Sequence, residues 1–455
     1  MGRTLGGLAA SPVALAIALA ACSNEVIRND GVGGSGAGGE SAGAGGEGGG
    51  APAPRSIELA VRTLAGANLD RLGVIVNAPD GRLLESFGGG ALPPSVSARD
   101  GDLVSFLYPT GHFNAQGQIH MIGSYRVAPG VERVEHRAQL YVADDEYCEL
   151  VSMQVRLSIP AVVGASSYFI QTSSGATKSW SELPAEVVVD ESRCVGDDSD
   201  FAIFVGARGA KFEEVALIEG LAFEPGTTLD LAPTLAPPPR TELRLGWTGL
   251  TSATEVFVHA AWQGDPSTIG LGRFLLPFES GNIELTQSPG AAEVVATPML
   301  LPLGAPMFIA HAKLPPRAGA CGRETRFLRR GESAAPFEVD ATALLEPRLV
   351  GELGYELAGE GAPGDVVQRV FLAGAHKWEL IEDPAEAPRA VVPLELPAQT
   401  PLGFARPDEP FVPFYFTHLE VEELDGYADF VRDSSSTLPR TERAWTVWYH
   451  CPDGP

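Results

Sequence analysis

A chain of 455 residues and 47.8 kDa is too long for one hydrophobic core; at about 150 residues per domain it predicts roughly three, with two to four allowed. Its 53 glycines, 37 prolines and 8% aromatic residues exclude a helical bundle or coiled coil. A formal charge of -26, with lysine at only four positions, excludes nucleic acid and anionic lipid as electrostatic partners, because counterion release needs a cationic face.

The chain opens with Arg3 and an apolar run from Leu5 to Ala21, broken at Ser11 and Pro12. That run is too short for a comfortable spanning helix and has the form of an export signal. It ends in Leu19-Ala20-Ala21-Cys22, which resembles the lipobox of bacterial lipoproteins. The resemblance implies removal of residues 1–21, a thioether-linked diacylglycerol on Cys22 and acylation of the new terminus. By the same family habit, Ser23 in place of Asp implies sorting to the outer membrane. A triacylated cysteine supplies the several chains that stable anchoring needs, each buried CH₂ contributing about 0.8 kcal/mol. The membrane is thus an expected partner, reached through the lipid on Cys22.

Residues 23–54 are Gly-rich and lack apolar periodicity, so segment 22–54 is expected to be a disordered tether spanning about 30 Å. The lipoprotein resemblance stops there and says nothing about the remainder.

Residues 55–455 predict an all-β fold of tandem antiparallel β-sandwiches. Four stretches alternate apolar and other residues as half-buried strands do: Ile57–Arg62, Val151–Ile159, Leu243–Leu245 and Leu353–Leu357. Each is followed by a more continuously apolar strand, LGVIVNA from Leu72, YFIQTSSG from Tyr168, EVFVHAAW from Glu255 and RVFLAGAHKW from Arg369. A third landmark comes next: DLVSFLY from Asp102, DFAIFVGA from Asp200, APMFIAHA from Ala305 and FVPFYFTHL from Phe411. Four copies of one unit are expected, with boundaries at 55–148, 149–239, 240–347 and 348–455. APPPR ending at Arg240 and LLEPR ending at Arg348 mark two of the joints. Each unit has the length of an immunoglobulin-like or transthyretin-like sandwich; two larger sandwiches are the alternative.

Besides Cys22 there are Cys148, Cys194, Cys321 and Cys451, an even number behind an export signal, which predicts disulfides. Three pairings are possible. Cys148 with Cys194 and Cys321 with Cys451 close the shorter loops, the first worth about 4 kcal/mol in the loop-entropy model. No CxxC spacing or neighbouring histidine pair suggests zinc, and no cofactor or metal is expected.

No HExxH, GxSxG or Walker A pattern occurs in the folded part. His112 and His120 flank a Gly-containing turn and are the nearest approach to a catalytic pair. His259 and His311 lie in apolar strands and read as hydrogen-bonded structural residues. The acidic runs Asp190–Glu191, Asp197–Asp200 and Glu420–Asp429 match no Ca²⁺ loop and read as solvated charge.

Tryptophan is more regular. Trp180, Trp262 and Trp378 each follow the second strand of a unit, and Lys178 and Lys377 stand beside two of them. If the copies align, these side chains crown one end of successive sandwiches and could contact a glycan, a peptide or an envelope protein; plugging the end of each sandwich is the competing role. Trp247, Trp445 and Trp448 read as core or sheet surface. The expectation is a lipid-anchored envelope protein that binds or spaces rather than catalyses. Its rivals are an envelope hydrolase using carboxylates or His112 and His120, and a structural subunit of an envelope complex.

Overall fold

Strand by strand, the burial follows the sequence patterns. On β9 below, Met153, Val155 and Leu157 are buried while Gln154 and Arg156 are exposed, the mark of a sheet wetted on one face. In LGVIVNA, residues 73–77 are buried without alternation, because that sheet is covered on both faces. The computed structural model describes residues 24–25, 53–64, 67–88, 92–114, 116–138, 140, 150–172, 177–182, 187–194, 198–206, 212–222, 226–250, 255–263, 273–275, 284–288, 290–296, 307–317, 319–330, 337–386, 391–421, 424–432 and 441–450. The signal segment, most of the tether, Cys148 and Cys451 lie outside these.

The first segment contains β1 (Asn24–Glu25), β2 (Arg55–Leu64), β3 (Gly73–Asn77), β4 (Leu83–Phe87), β5 (Ser95–Ala98), β6 (Leu103–Asn114), β7 (Gly117–Arg126) and β8 (Arg133–Arg137). The second has β9 (Leu150–Leu157), β10 (Ser167–Thr172), β11 (Thr177–Trp180), β12 (Val187–Cys194), β13 (Asp198–Gly206), β14 (Phe212–Ala222) and β15 (Thr228–Leu231). The third has β16 (Leu243–Leu250), β17 (Glu255–Gln263), β18 (Arg273–Leu275), β19 (Glu284–Ser288), β20 (Gly290–Ala296), β21 (Met307–Leu314), β22 (Gly322–Arg330) and β23 (Phe337–Thr342). The fourth has β24 (Glu346–Val350), β25 (Gly354–Ala358), β26 (Val366–Ala373), β27 (His376–Glu382), β28 (Val412–Val421), the single described α-helix α1 (Tyr427–Arg432) and β29 (Thr441–Trp448).

One topology recurs. In the first three segments the opening strand (β2, β9, β16) pairs antiparallel with a middle strand (β5, β12, β20) and parallel with the closing strand (β8, β15, β23). The other sheet has the orders β4-β3-β6-β7, β11-β10-β13-β14, β18-β17-β21-β22 and β27-β26-β28-β29. The fourth segment keeps this four-stranded sheet, while its opening strand forms the hairpin β24–β25.

Three of the four-stranded sheets then join edge to edge into one sheet of 12 strands. β22 pairs antiparallel with β29, and β27 pairs parallel with β7, so the chain's last segment sits between the third and the first. Pairing edges in this way removes exposed backbone donors and acceptors. The second segment's sheets form no ladder with this sheet among the described residues.

The cores follow the same division. Met153, Val155, Phe201, Ile203 and Val205 belong to a core drawn wholly from the second segment. Val74, Val76, Phe106 and Val134 of the first segment pack with Val366, Ile381, Tyr427, Phe430 and Val431 of the fourth. On the opposite face Ile75, Leu107 and Ile122 pack with Phe371, Trp378, Leu380, Phe404 and Phe416.

Candidate functional site

Neighbouring residues of a strand point to opposite faces, and on β27 that rule separates two residues expected to act together. Trp378 is 0% exposed. Its Nε1 donates to Ser124 Oγ at 3.0 Å and its ring packs 5.0 Å from Phe371 and 5.4 Å from Phe411. It has no ring face open to a ligand and does the work of a core plug. Trp180 is half-buried on β11, opposite Tyr168, and packs against the second segment's core. Trp262 lies on β17 opposite Phe274, with its side chain outside the described residues. Trp180 and Trp378 thus occupy matching strands, β11 and β27, and Trp262 does not. Lys178 donates to the Val188 carbonyl at 2.8 Å, tying β11 to β12 of the facing sheet.

Lys377 faces away from Trp378. Its side chain is 32% exposed and its Nζ lies 3.7 Å from Glu379 Oε2, while Gln368 Nε2 donates to Glu379 Oε1. Across the sheet on the same face, Val370 is flanked by Glu379 on one side and Tyr415 on the other, and Tyr415 stands opposite Trp448. The next row holds Gln368, Thr417 and Thr446, with the two threonine hydroxyls 3.0 Å apart. Gly322 lies under the Trp448 ring: a Cβ there would sit 3.1 Å from Trp448 Cε3. The missing side chain lets the indole lie over β22. Burial pushes the Tyr415 phenol up, partly opposed by Lys377. Trp448, Tyr415, Lys377, Glu379 and Gln368 therefore form a half-exposed patch of aromatic and hydrogen-bonding groups in which one ammonium balances one carboxylate. Trp448 thus lies at the sheet surface, and Lys377 and Trp378 fall on opposite faces of β27.

At the seam between β7 and β27 lies a cluster of buried charges. Arg126 Nε donates to Glu382 Oε1 at 2.6 Å, Arg369 donates to Glu382 Oε2 and, at 2.6 Å, to the Leu353 carbonyl, and the Arg369 guanidinium lies 4.8 Å from the Tyr355 ring centroid. The single hydroxyl proton of Tyr427 on α1 is shared between the carbonyls of Arg126 and Ile381, 2.7 and 2.9 Å from its Oη. A second cluster binds the third and fourth segments, where buried Glu346 accepts from Arg323 at 2.6 Å and Arg317 at 3.1 Å.

His120 and His376 are register partners across the seam, their rings stacked at 4.9 Å under Phe404. His376 Nε2 lies 2.9 Å from the Ala405 carbonyl, so His120 is held in packing, and burial lowers its pKa. The His112 side chain is outside the described residues. His311 is buried 2.7 Å from Glu324, as a hydrogen-bonded structural residue would be, and His259 is again outside the described side chains. The acidic runs are engaged singly: Asp190 with Gln154, Asp200 with the Gly220 amide, Glu420 with Arg443 and Asp429 with Arg432. Among the described residues no three His, Cys, Asp or Glu side chains are grouped to hold a metal ion.

Cys321 is disulfide-bonded. Its amide donates to the Trp448 carbonyl at 2.9 Å. Cys194 stands opposite Leu150 in the β9–β12 ladder.

No protein-family model matches the chain, and no curated protein matches it. Among solved structures it is similar to a leucine-rich repeat protein from Bacteroides thetaiotaomicron, at 10% identity over 42% of this chain and 26% of that one, with a TM-score of 0.16. It is also similar to the Bacillus anthracis TIE protein, at 10% identity over 63% of this chain and 50% of that one, with a TM-score of 0.14. The chain thus spans half or less of the length of either, and likeness at these scores carries no argument about fold or function.

Proposed function

We propose that this chain is a lipid-anchored protein of the cell envelope, held at the outer membrane through Cys22, which displays tandem immunoglobulin-like or transthyretin-like sandwiches and acts by binding or spacing rather than by catalysis. The observation that carries the reading is the combination of a lipobox and Gly-rich tether with a body in which three segments share one 12-stranded sheet. The candidate partners are a glycan, a peptide or another envelope protein.

Disulfides Cys148–Cys194 and Cys321–Cys451 belong to the same proposal. Support comes from register: Cys148 is two residues before the partner of Cys194, and Cys451 is three residues beyond Trp448, whose carbonyl receives the Cys321 amide. The hydrolase alternative loses support at His120, whose ring is packed under Phe404 rather than presented with a carboxylate.

Labelled palmitate should enter the wild-type protein and not Cys22→Ala, and the wild type should fractionate with outer membrane. Acylation of Cys22→Ala, or a stable inner-membrane band for the wild type, contradicts the anchoring scheme. Disulfide mapping under non-reducing digestion should return the two pairs; four free thiols would remove the oxidising-compartment argument.

A further inference from the structure

We infer that residues 391–411 form a latch over the first segment that acid releases, and that His120 and His376 are its catch. The inference stands apart from the envelope reading, because it uses only the fit between the first and fourth segments.

The latch is a length of chain between β27 and β28 that forms neither strand nor helix. Pro393, Pro397, Pro401, Pro407 and Pro410 deny it the donors that a ladder needs. It nevertheless lies against the first segment's sheet, where Val391, Leu394, Leu396 and Phe404 pack with Ile75, Leu103, Leu107 and Ile122. Gly73 makes room for Pro401: a Cβ there would lie 2.5 Å from Pro401 Cγ. Near its start the latch is held by groups that do not titrate. The Glu395 amide donates to the Gly81 carbonyl at 2.9 Å, and Asn77 Nδ2 donates to the Glu395 carbonyl at 3.0 Å.

Further along, two imidazoles hold one residue. His376 Nε2 lies 2.9 Å from the Ala405 carbonyl, and the Ala405 amide makes a long hydrogen bond of 3.5 Å to His120 Nδ1. A carbonyl only accepts and an amide N–H only donates, so His376 carries a proton at Nε2 and His120 has none at Nδ1. The rings are stacked at 4.9 Å, His120 8% and His376 6% exposed. Protonating His120 therefore turns the acceptor of the Ala405 amide into a second donor and sets a cation against the face of His376.

The surroundings do not offset that charge. β6 places Pro109 opposite His120, and Phe404 presents its ring edge. Arg71 lies beside Gly403, and Arg406 donates to the carbonyls of Leu396 and Pro397. Of the carboxylates, Glu395 accepts from the Leu83 amide at 3.1 Å, while Asp70, Asp408 and Glu409 are exposed. Burial, then the charge of His376, lowers the His120 pKa. The catch is thus closed at neutral pH and weakens as the pH falls below about 6.5, the ordinary value for histidine. Opening withdraws Phe404 and uncovers part of the apolar face it packs with, while the Glu395 end stays attached.

Hydrogen exchange of the full-length protein, followed by mass spectrometry over a pH series from 7.5 to 5, tests this, with labelling times scaled for the intrinsic pH dependence of exchange. On the scaled clock, peptide 398–406 should exchange about tenfold or more faster at pH 5, the factor for one pH unit past the titration of the catch. Peptides from β26 and β28 should not change. His120→Asn, whose Oδ1 can accept from Ala405 but cannot be protonated, should show equal scaled rates throughout. His376→Gln keeps a donor for the Ala405 carbonyl and removes the neighbouring charge, so its release should move to higher pH. Equal scaled rates in the wild type overturn the inference, and so does an equal rise in β26 and β28, which is loosening of the whole sheet. The same rise in His120→Asn also overturns it. If His120→Asn folds poorly, the wild-type comparison and the His376→Gln midpoint decide, an unmoved or lowered midpoint counting against the catch.

Discussion

Removing one member of the buried Arg126–Glu382–Arg369 triad should be more damaging than removing any surface ion pair. Glu382 alone neutralises two guanidiniums that are each within 4% of complete burial. Glu382→Ala strands both, and a broken buried pair costs about 3 to 5 kcal/mol. Urea melts should show that loss, with Arg244→Ala at the exposed Glu242 pair changing stability by less than about 1 kcal/mol. His136 supplies a pH dependence of opposite origin. Its ring stacks 4.5 Å from Phe106, Tyr125 Oη lies 2.9 Å from Nδ1, and burial lowers its pKa from 6.5 to about 3. The unfolded chain therefore binds the extra proton first. The stability that His136 contributes is complete above about pH 6.5 and falls steadily toward pH 3, by roughly 5 kcal/mol over the whole window. Urea melts from pH 7.5 to 4 should trace this fall, and His136→Phe should flatten it; equal slopes for the two proteins would show that the charge is accommodated. His311 is legible as structural from its apolar strand, whereas Lys377 and Trp378 look like one site only if sequence adjacency is allowed to outweigh strand alternation. Period two alone sends them to opposite faces, and that rule was available from the sequence.

At the scale of elements, what was legible and what was not follow from which atoms carry the signal. The alternating and continuous apolar strands are side-chain patterns, and β9, β3, β13 and β28 are found where those patterns lie. The edge-to-edge joining of β22 with β29 and β27 with β7 is made by backbone hydrogen bonds, which any sequence can form. Nothing in residues 117–126 marks them as partners of residues 376–382 across some 250 positions. The replacement of a three-stranded sheet by β24–β25 was equally hidden, since Leu353–Leu357 alternates as the other opening strands do. Joining also sets a gradient of protection. Strands β26, β28 and β29 have a ladder on each side, whereas β4 and β18 end the 12-stranded order. Hydrogen exchange followed by mass spectrometry should find the interior strands slowest and β4 and β18 among the fastest, because backbone groups at an edge open without breaking a second ladder. Exchange in β7 and β27 as fast as in β4 would mean that the parallel seam opens by itself in solution.

The whole molecule should unfold in two steps that do not follow chain order. The second segment keeps its own core, with Met153, Val155, Tyr168, Phe201, Ile203 and Val205 all packed among residues of the same segment. The first segment does not: its core is completed by Val366, Ile381, Tyr427, Phe430 and Val431, which arrive only with the end of the chain. The opposite face of its sheet is continuous with Phe371, Trp378 and Leu380 on the neighbouring strands and packs with Val391 and Phe404, again all from the fourth segment. The third segment is fastened to the fourth by the β22–β29 ladder and by the arginines around Glu346. Calorimetry should therefore give one transition of about 60 kcal/mol, the enthalpy expected for roughly 90 residues, and a larger one in which the first, third and fourth segments melt together. The sharper form of the prediction uses fragments. Residues 149–239 expressed alone should fold cooperatively and melt near the small transition of the full chain. Residues 55–148 alone should expose the apolar faces of β3 and β6, with Ile75, Leu103 and Leu107 uncovered, and should bind a hydrophobic dye or aggregate. A cooperative, dye-free melt of 55–148 would show that the fourth segment merely docks on a finished sandwich, and the shared core would then contribute affinity between segments rather than the fold of the first.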